Sequence, residues 1–322
     1  MDRDSTIYIA GHSGLVGSAL ERRLREAGYR DIVTRSHAEL DLTDQQLVQA
    51  FFKEVRPRYV FLAAGRVGGI RANSTYPAEF IHTNLAIEMN VLHAARCHDV
   101  ERLLFFGSSC VYPRLAPQPM REEHLLTGAL EPSSRPYAIA KLAGMAMCGA
   151  YNVQYGTRFI PVIPPTVYGP NDSFDEDGHV LSALLARFAD AKRAAQNEGR
   201  GSRPVTVWGT GAARREFIFV DDLADVCLLL MCLGEESLGP LLQPELVMNI
   251  GAGGDIAIGD LVALIAEVVG YDGPIVFDVT KPDGAPRKLL DRTKCDRLGW
   301  HPRVALAEGL RRTYEWYERR HG

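Results

Sequence analysis

The sequence has no run of about 20 consecutive apolar residues, the length a helix needs to cross a bilayer. Its longest candidate, Val226–Leu233, is too short. There is no excess of positive charge either. Lys and Arg total 36 against 40 Asp and Glu, for a net charge of -4 and a pI of about 6.2. That balance argues against a nucleic-acid-binding face, although local clusters such as Glu21–Arg25 and Arg214-Arg215 are free to meet phosphates. The six cysteines (Cys97, Cys110, Cys148, Cys227, Cys232 and Cys295) include no CxxC pair. This excludes a disulfide framework and points to a reducing cytoplasm. The histidines are scattered without ligand spacing, so no metal site is expected. No internal repeat, heptad run or low-complexity segment is present. The chain passes from Met-Asp-Arg-Asp directly into a strand-like run, so no signal peptide is expected.

What is present is an ordinary globular composition over 322 residues, 46% hydrophobic and 24% charged. That length suits one large α/β unit or two fused domains. Short β-rich runs at Thr6–Ala10, Asp31–Thr34, Tyr59–Ala64, Arg102–Gly107 and Arg158–Ile163 alternate with helical patterns at Leu15–Ala27, Thr43–Val55, Thr83–Cys97 and Pro136–Tyr155. Such alternation predicts βαβ units on a doubly wound, Rossmann-type parallel sheet. After Tyr168 the texture changes. A polar loop over Pro170–Gly178 precedes a helix at Leu181–Ala195 and a charged loop at Asn197–Pro204. Strands follow at Val205–Trp208 and Glu216–Val220. Asp221-Asp222 is read as capping a helix that runs to Leu233, and further elements follow at Val247–Ile250, Ile258–Val269 and Ile275–Asp278. The expected division is a dinucleotide-binding domain over 1–168 plus about 218–250. A smaller mixed α/β substrate lobe is expected over about 169–217 and 251–322.

Gly11-His12-Ser13-Gly14-Leu15-Val16-Gly17 has the spacing GxxGxxG between a strand and a helix. The glycines permit a tight turn and close backbone approach to a pyrophosphate, and the helix N-terminus favours that anion. An acidic residue closing the second strand would favour NAD. Here the strand closes on Arg35, a cation suited to a 2′-phosphate, so NADP(H) is expected; the alternative is a solvated surface arginine. Asp41-Leu42 is a candidate adenine contact, or a helix N-cap before Gln45, and both can hold together.

Tyr137-Ala-Ile-Ala-Lys141 places a phenol and an amine on one helix face, after Pro136 at a natural helix start. Lys141 would lower the Tyr137 pKa and hold the nicotinamide ribose, while Tyr137 exchanges a proton with a carbonyl or alkoxide. Ser108, in the Gly-Ser-Ser-Cys segment past a buried strand, would hydrogen-bond the same carbonyl. These elements together resemble the extended short-chain dehydrogenase/reductase family, which implies hydride chemistry at a sugar carbon. Cys110 lies just past a strand end, two residues from Ser108 and not in a core helix, where the nicotinamide and Lys141 would favour its thiolate; a cysteine alone is more often buried filler. His179 opens a helix after the polar loop. A Cys–His pair on opposite faces of a substrate would epimerise a carbon next to a ketone.

Several longer segments narrow the resemblance: Ala63–Pro77 (Ala63-Ala64-Gly-Arg-Val-Gly-Gly-Ile), Gly107-Ser-Ser-Cys-Val-Tyr-Pro113, Leu130-Glu-Pro132, Arg215-Glu-Phe217 and Lys281-Pro-Asp-Gly284. Nearly end to end, the chain resembles the GDP-L-fucose synthase family. That resemblance implies epimerisation of GDP-4-keto-6-deoxy-D-mannose at C3 and C5 and NADPH reduction at C4. It implies Ser108, Tyr137 and Lys141 as the reductase triad, with Cys110 as epimerisation base and His179 as acid. It further implies NADP(H) contacts from Gly11 to Gly17, and from Arg35, Asp41, Leu42, Ala63, Ala64, Lys141, Pro164, Thr166, Val167 and His179. The GDP-sugar would meet Arg187, Trp208, Arg215, Lys281 and Asp283. Trp208 would stack on guanine or fill the lobe; both readings stand. The resemblance also implies a homodimer paired through Thr83–Cys97 and Pro136–Tyr155.

The chain departs from the family pattern at Thr166, where the family carries Asn, and at Ser13, where some members carry Arg. Gly65-Arg66 is also unusual, and the loop between Tyr168 and His179 is a residue shorter than in some relatives. The alternatives are therefore an epimerase or a reductase alone on a related GDP-4-keto sugar of heptose or colitose type, or a non-catalytic dinucleotide sensor.

Overall fold

The computed structural model describes residues 1–176, 178–198, 203–243 and 247–321. Two sequence expectations fall partly outside these residues: Asp177 of the polar loop, and 199–202 of the loop expected over Asn197–Pro204.

The first half builds β1 (Ile7–Ala10), α1 (Leu15–Glu26), β2 (Ile32–Thr34), α2 (Gln45–Val55), β3 (Tyr59–Leu62), α3 (Ile70–Thr75), α4 (Pro77–Cys97), β4 (Arg102–Phe106), α5 (Arg135–Tyr155) and β5 (Phe159–Ile163). Together with Met248–Asn249 these strands form one six-stranded sheet, ordered Met248–Asn249, β5, β4, β3, β1, β2. Every pairing in it is parallel. Ile7 and Ile9 face one side, against Leu20 and Leu24 of α1 and Leu223 and Leu230 of the helix Val220–Cys232. Tyr8 and Ala10 face the other, against Phe51 and Phe52 of α2, Val91 of α4 and Cys148 of α5. Both faces are covered, which is why β1, β3, β4 and β5 read as continuous apolar runs. The chain turns from β1 outward to β2 and then back to β3. The strand order reverses there, and the crevice beyond the strand ends is where such sheets bind ligands.

The second lobe has its own core, built around Leu185 and Phe188 of α6 (Val180–Glu198), Leu261 and Ile265 of Ile258–Val269, and Leu310 of Leu306–His321. Ile275–Asp278 pairs in parallel with Val205–Trp208. Arg214–Arg215 lies between Ile256–Ala257 and Arg287–Lys288. β6 (Thr166–Tyr168) pairs with Phe217–Phe219 and links the two lobes. No helix among the described residues is long and apolar enough to cross a membrane.

Several local expectations change. α4 begins at Pro77, six residues before Thr83, because proline at the first helical position has no N–H to leave unpaired. β3 ends at Leu62; the Ala63 N–H donates to the Ala10 carbonyl at 3.0 Å as the chain leaves the sheet. Asp44, not Asp41, caps α2 by accepting from the Gln46 and Leu47 N–H groups. Asp221 and Asp222 lie inside their helix and not at its cap. Asp221 pairs with Arg22 of α1, and Asp222 accepts the Arg303 and Val304 N–H groups at 3.0 Å. The strand Thr166–Tyr168 and the helices Glu235–Leu242 and Leu306–His321 had no sequence expectation.

Candidate active site

The glycine turn closes on close contacts. Gly11 has φ +86°, and a Cβ there would lie 2.7 Å from the Ala64 backbone. A Cβ on Gly17 would lie 2.1 Å from the Gly11 carbonyl. These two glycines seat α1 against the ends of β1 and β3. Gly14 is different. It is the N-cap of α1, exposed like Ser13, and a Cβ there would meet nothing nearer than 3.6 Å. Its side is open, the first turn of α1 carries no acid, and the His12 Nδ1 is buried there with no hydrogen-bond partner among the described residues. A cradle of this form, with an orphaned ring nitrogen and unblocked helical N–H groups, fits a pyrophosphate. Leu15 and Val16 pack half-buried on the core behind it.

Arg35 stands exposed just past β2, with its guanidinium over the Phe51 ring at 5.5 Å and one N–H on the Thr34 carbonyl. Asp41 accepts from the Thr43 N–H and hydroxyl at 2.9 and 2.7 Å, which holds its carboxyl below the usual range. Leu42 is buried, and its carbonyl accepts from Asn90 at 3.0 Å. Ala63 and Ala64 follow β3 at the crevice. Pro164 and Val167 are buried, and the Thr166 N–H donates to the Glu216 carbonyl at 3.1 Å.

The chain leaves β4 at Ser108, which accepts the Cys110 N–H at 3.3 Å and caps a short helical turn. The Ser108 hydroxyl also reaches Tyr137. Tyr137 sits in the first turn of α5, edge-on to Phe80 at 6.2 Å. Burial, then the charges of Cys110 and Glu88, raise its pKa, against a smaller lowering by Ser108. The expected lowering by Lys141 is not found. Lys141 is 4% exposed, and its ammonium lies 3.1 Å from Glu88, a carboxylate 1% exposed. Burial in turn raises the Glu88 pKa, against the pull of Lys141.

Cys110 is half-buried. Lys288, from the second lobe, donates to its Sγ at 3.5 Å. Burial pushes the thiol up, but the Lys288 ammonium and hydrogen bonds from Ser108 and Ser134 bring it below its usual value. His179 faces the buried Asp172 at 3.4 Å. Burial disfavours its imidazolium, yet Asp172 and Cys110 outweigh this and raise its pKa above the usual 6.5. Asp172 is fixed in turn by the Ser182 hydroxyl. Cys110 is thus electrostatically coupled to Tyr137, His179 and Arg215. With Lys288, these five side chains come together from five separate segments of the chain.

The second lobe supplies the other wall. One Arg215 N–H donates to the Asp283 carbonyl at 3.2 Å, and burial lowers the Arg215 pKa. The Asp283 carboxylate is occupied by the Thr210 N–H and hydroxyl, both at 2.8 Å, so it braces the loop that carries Lys281. Lys281 lies over the Trp208 ring at 5.4 Å. Trp208 is 41% exposed, so it does not fill the lobe. Arg187 donates to the Thr206 carbonyl in the same strand as Trp208.

Sequence reasoning missed Glu88, Asp172, Lys288 and Glu216. Glu216 is 1% exposed and accepts the N–H groups of Ala252, Gly253 and Leu290, tying Arg215 to the segment that carries Lys288. The one legible signal was a charged residue inside an otherwise apolar helical pattern, as at Glu88.

Residues 7–251 match the NAD dependent epimerase/dehydratase family. The chain is 50% identical to GDP-L-fucose synthase 1 of Arabidopsis thaliana over 98% of this chain and 94% of that protein. It is 49% identical to GDP-L-fucose synthase of Escherichia coli strain K12 over 97% and 96%. Among solved structures it resembles MlghC, a GDP-mannoheptose C4 reductase from Campylobacter jejuni with NADP bound. The TM-score is 0.89 at 39% identity, over 99% of both chains.

Proposed function

The chain belongs to the NAD dependent epimerase/dehydratase family, and we propose that it converts GDP-4-keto-6-deoxy-D-mannose to GDP-L-fucose. The reaction is epimerisation at C3 and C5 followed by reduction at C4. The observation that supports this reading is the proximity of both sets of groups. Ser108 lies beside Tyr137, and Cys110, near both Tyr137 and His179, has its pKa lowered where that of His179 is raised.

A 4-ketone acidifies the C–H bonds at C3 and C5. Cys110, held toward thiolate by Lys288, takes a proton from one face. The Ser108 and Tyr137 hydroxyls donate to the enolate oxygen. His179, held toward imidazolium by Asp172, returns a proton on the opposite face. NADPH, when bound, supplies the hydride for C4. Tyr137 then protonates the new alkoxide. The Gly11–Gly17 turn fits the pyrophosphate of that cofactor, Arg35 its 2′-phosphate and Lys141 its ribose. Arg215, Lys281 and Arg187 supply cations for the GDP phosphates, and exposed Trp208 offers a face to guanine.

The first domain, 1–168 with about 218–250, would carry the cofactor, and the remaining lobe the GDP-sugar. We also propose a homodimer through α4 and α5, whose surfaces expose Met89, Ile139 and Val153. Six free thiols suit a cytoplasmic setting.

A second reading, reductase or epimerase activity alone on a related GDP-4-keto sugar, rests on Thr166. The test is NADPH consumption with GDP-4-keto-6-deoxy-D-mannose in D₂O, followed by NMR. NADPH oxidation with deuterium at C3 and C5 of the product is expected. NADPH oxidation without deuterium would point to a reductase, and deuterium uptake without oxidation to an epimerase.

A further inference from the structure

His179 stands just before α6, and the loop in front of it carries Asp172, the carboxylate that faces the imidazole. Ser173, Asp175 and Glu176 of that loop are exposed. Phe174 is not; it is half-buried and packs on the core of the second lobe. Its ring stacks on Trp316, with centroids 5.8 Å apart and planes at 22°, and leans on Tyr317 at 4.9 Å. Both partners come from the last turns of the helix Leu306–His321. That helix end is braced in turn against α6. Arg193 of α6 donates to the His321 carbonyl at 2.7 Å and to the Tyr317 hydroxyl at 3.3 Å. The loop itself is tightly folded. The Gly178 N–H donates to the Asp175 carbonyl at 3.1 Å, and a Cβ on Gly178 would lie 2.3 Å from the Ser173 carbonyl. A shift at Phe174 is therefore passed both ways along the loop, back to Asp172 and on to His179.

We propose that Phe174 is a positioning residue: seated on Trp316 and Tyr317, it lets the helix Leu306–His321 hold the Asp172–His179 pair in place for the return of a proton. The inference rests on His179 being the acid of the epimerisation proposed above. The other ties of the loop do different work. Glu176 pairs with Arg71 of α3, but these side chains are 70% and 52% exposed, and exposed pairs hold little. The Ser182 hydroxyl fixes the end of the Asp172 side chain, not the backbone that carries it. Stacked aromatic rings fix both distance and tilt, which a loop without regular secondary structure otherwise lacks. The charges that act on His179 are those of Asp172, on the loop, and Cys110, from the turn after β4. The ions around the aromatic seat are engaged there: Arg193 pairs with Asp190 and Glu318, and Arg320 lies over the Trp316 ring. Phe174 carries no charge, so it can reach the imidazole only by letting the loop move.

The test is Phe174→Ala, read without substrate by NMR titration of the His179 ring, assigned by difference against His179→Gln. A released loop takes Asp172 away from the imidazole, so the titration should fall from its raised position toward the ordinary 6.5 of a histidine. Trp316→Ala should lower it in the same direction from the far side of the contact. The double variant should lower it no further than the larger single change, because both remove one seat. With GDP-4-keto-6-deoxy-D-mannose in D₂O, deuterium exchange at C3 and C5 should fall about 10²-fold in either single variant. Packing that serves stability alone would lower Tm and leave the titration in place. An unmoved titration in a variant that melts cooperatively would therefore overturn the proposal, as would shifts that simply add in the double variant. If Phe174→Ala does not fold, Trp316→Ala is read in its place, and an unmoved titration there overturns the proposal equally. Titrations shifted as expected, with no exchange in the parent, would support the seat and count against the assigned reaction.

Discussion

The two walls of the cleft are built on opposite terms. On the sheet side, Lys141 and Glu88 are 4% and 1% exposed, with Tyr137 half-buried beside them. On the small-lobe side, Trp208 is 41% exposed and Lys281 lies over it in the open. Charges count for more where water is excluded, and less where salt and solvent screen them. Proton-handling groups therefore gather on the dry wall, where a neighbour can reset a pKa. Anchoring groups gather on the wet wall, where a polyanion can enter and leave.

The comparison breaks most sharply at the dry wall. Tyr137→Phe should cut NADPH oxidation by about 10²–10⁴-fold while part of the deuterium exchange at C3 and C5 survives on Ser108. Cys110→Ser should do the reverse, abolishing exchange with NADPH affinity intact. Loss of all exchange together with reduction in Tyr137→Phe would mean that the two chemistries are not separable as drawn. Next comes the turn. Gly17→Ala places a methyl against the Gly11 carbonyl, and should cost about 1–3 kcal/mol, seen as a lower Tm and weaker NADPH binding by fluorescence titration.

The wet wall should respond more mildly. Trp208→Ala should raise KM for the GDP-sugar about tenfold, or about 1.4 kcal/mol, with kcat held. Added salt should raise KM and spare kcat. The smallest effect belongs to the border between the walls. His179 donates only when protonated, so the acid form is present below its raised pKa and is lost as pH rises through it. Asp172→Asn removes the counter-charge, so exchange should fade from a lower pH. An unchanged profile would show that Asp172 does not set it.

Local chemistry was legible in the sequence and long-range chemistry was not. The strand, turn and helix around Gly11–Gly17 follow from residues within a few positions of one another, as do Ser108–Cys110 and the Tyr137–Lys141 spacing. Helix ends were less clear. Asp41, Asp44, Asp221 and Asp222 are equally plausible caps by type, and only the tertiary partners of Asp221 and Asp222 show that they serve the neighbouring segments instead. The residues that tune the site come from far away in the chain. Lys288 is 178 positions from Cys110, and Glu88 reaches Lys141 across two packed helices. No periodicity records such a meeting. The aromatic-rich helix Leu306–His321 was overlooked for the same reason: its apolar face is intelligible only against Tyr168 and Phe219, which it covers.

Gly144 leaves no side chain where α5 meets Glu88, and this has a historical consequence. A methyl cannot be added there while Glu88 and Phe105 keep their places, so position 144 is not free to drift alone. Lineages descending from a common ancestor should not change position 144 while position 88 keeps its glutamate. Any homologue with alanine at 144 should carry a shorter or uncharged residue at 88, and should have found another way to manage its lysine.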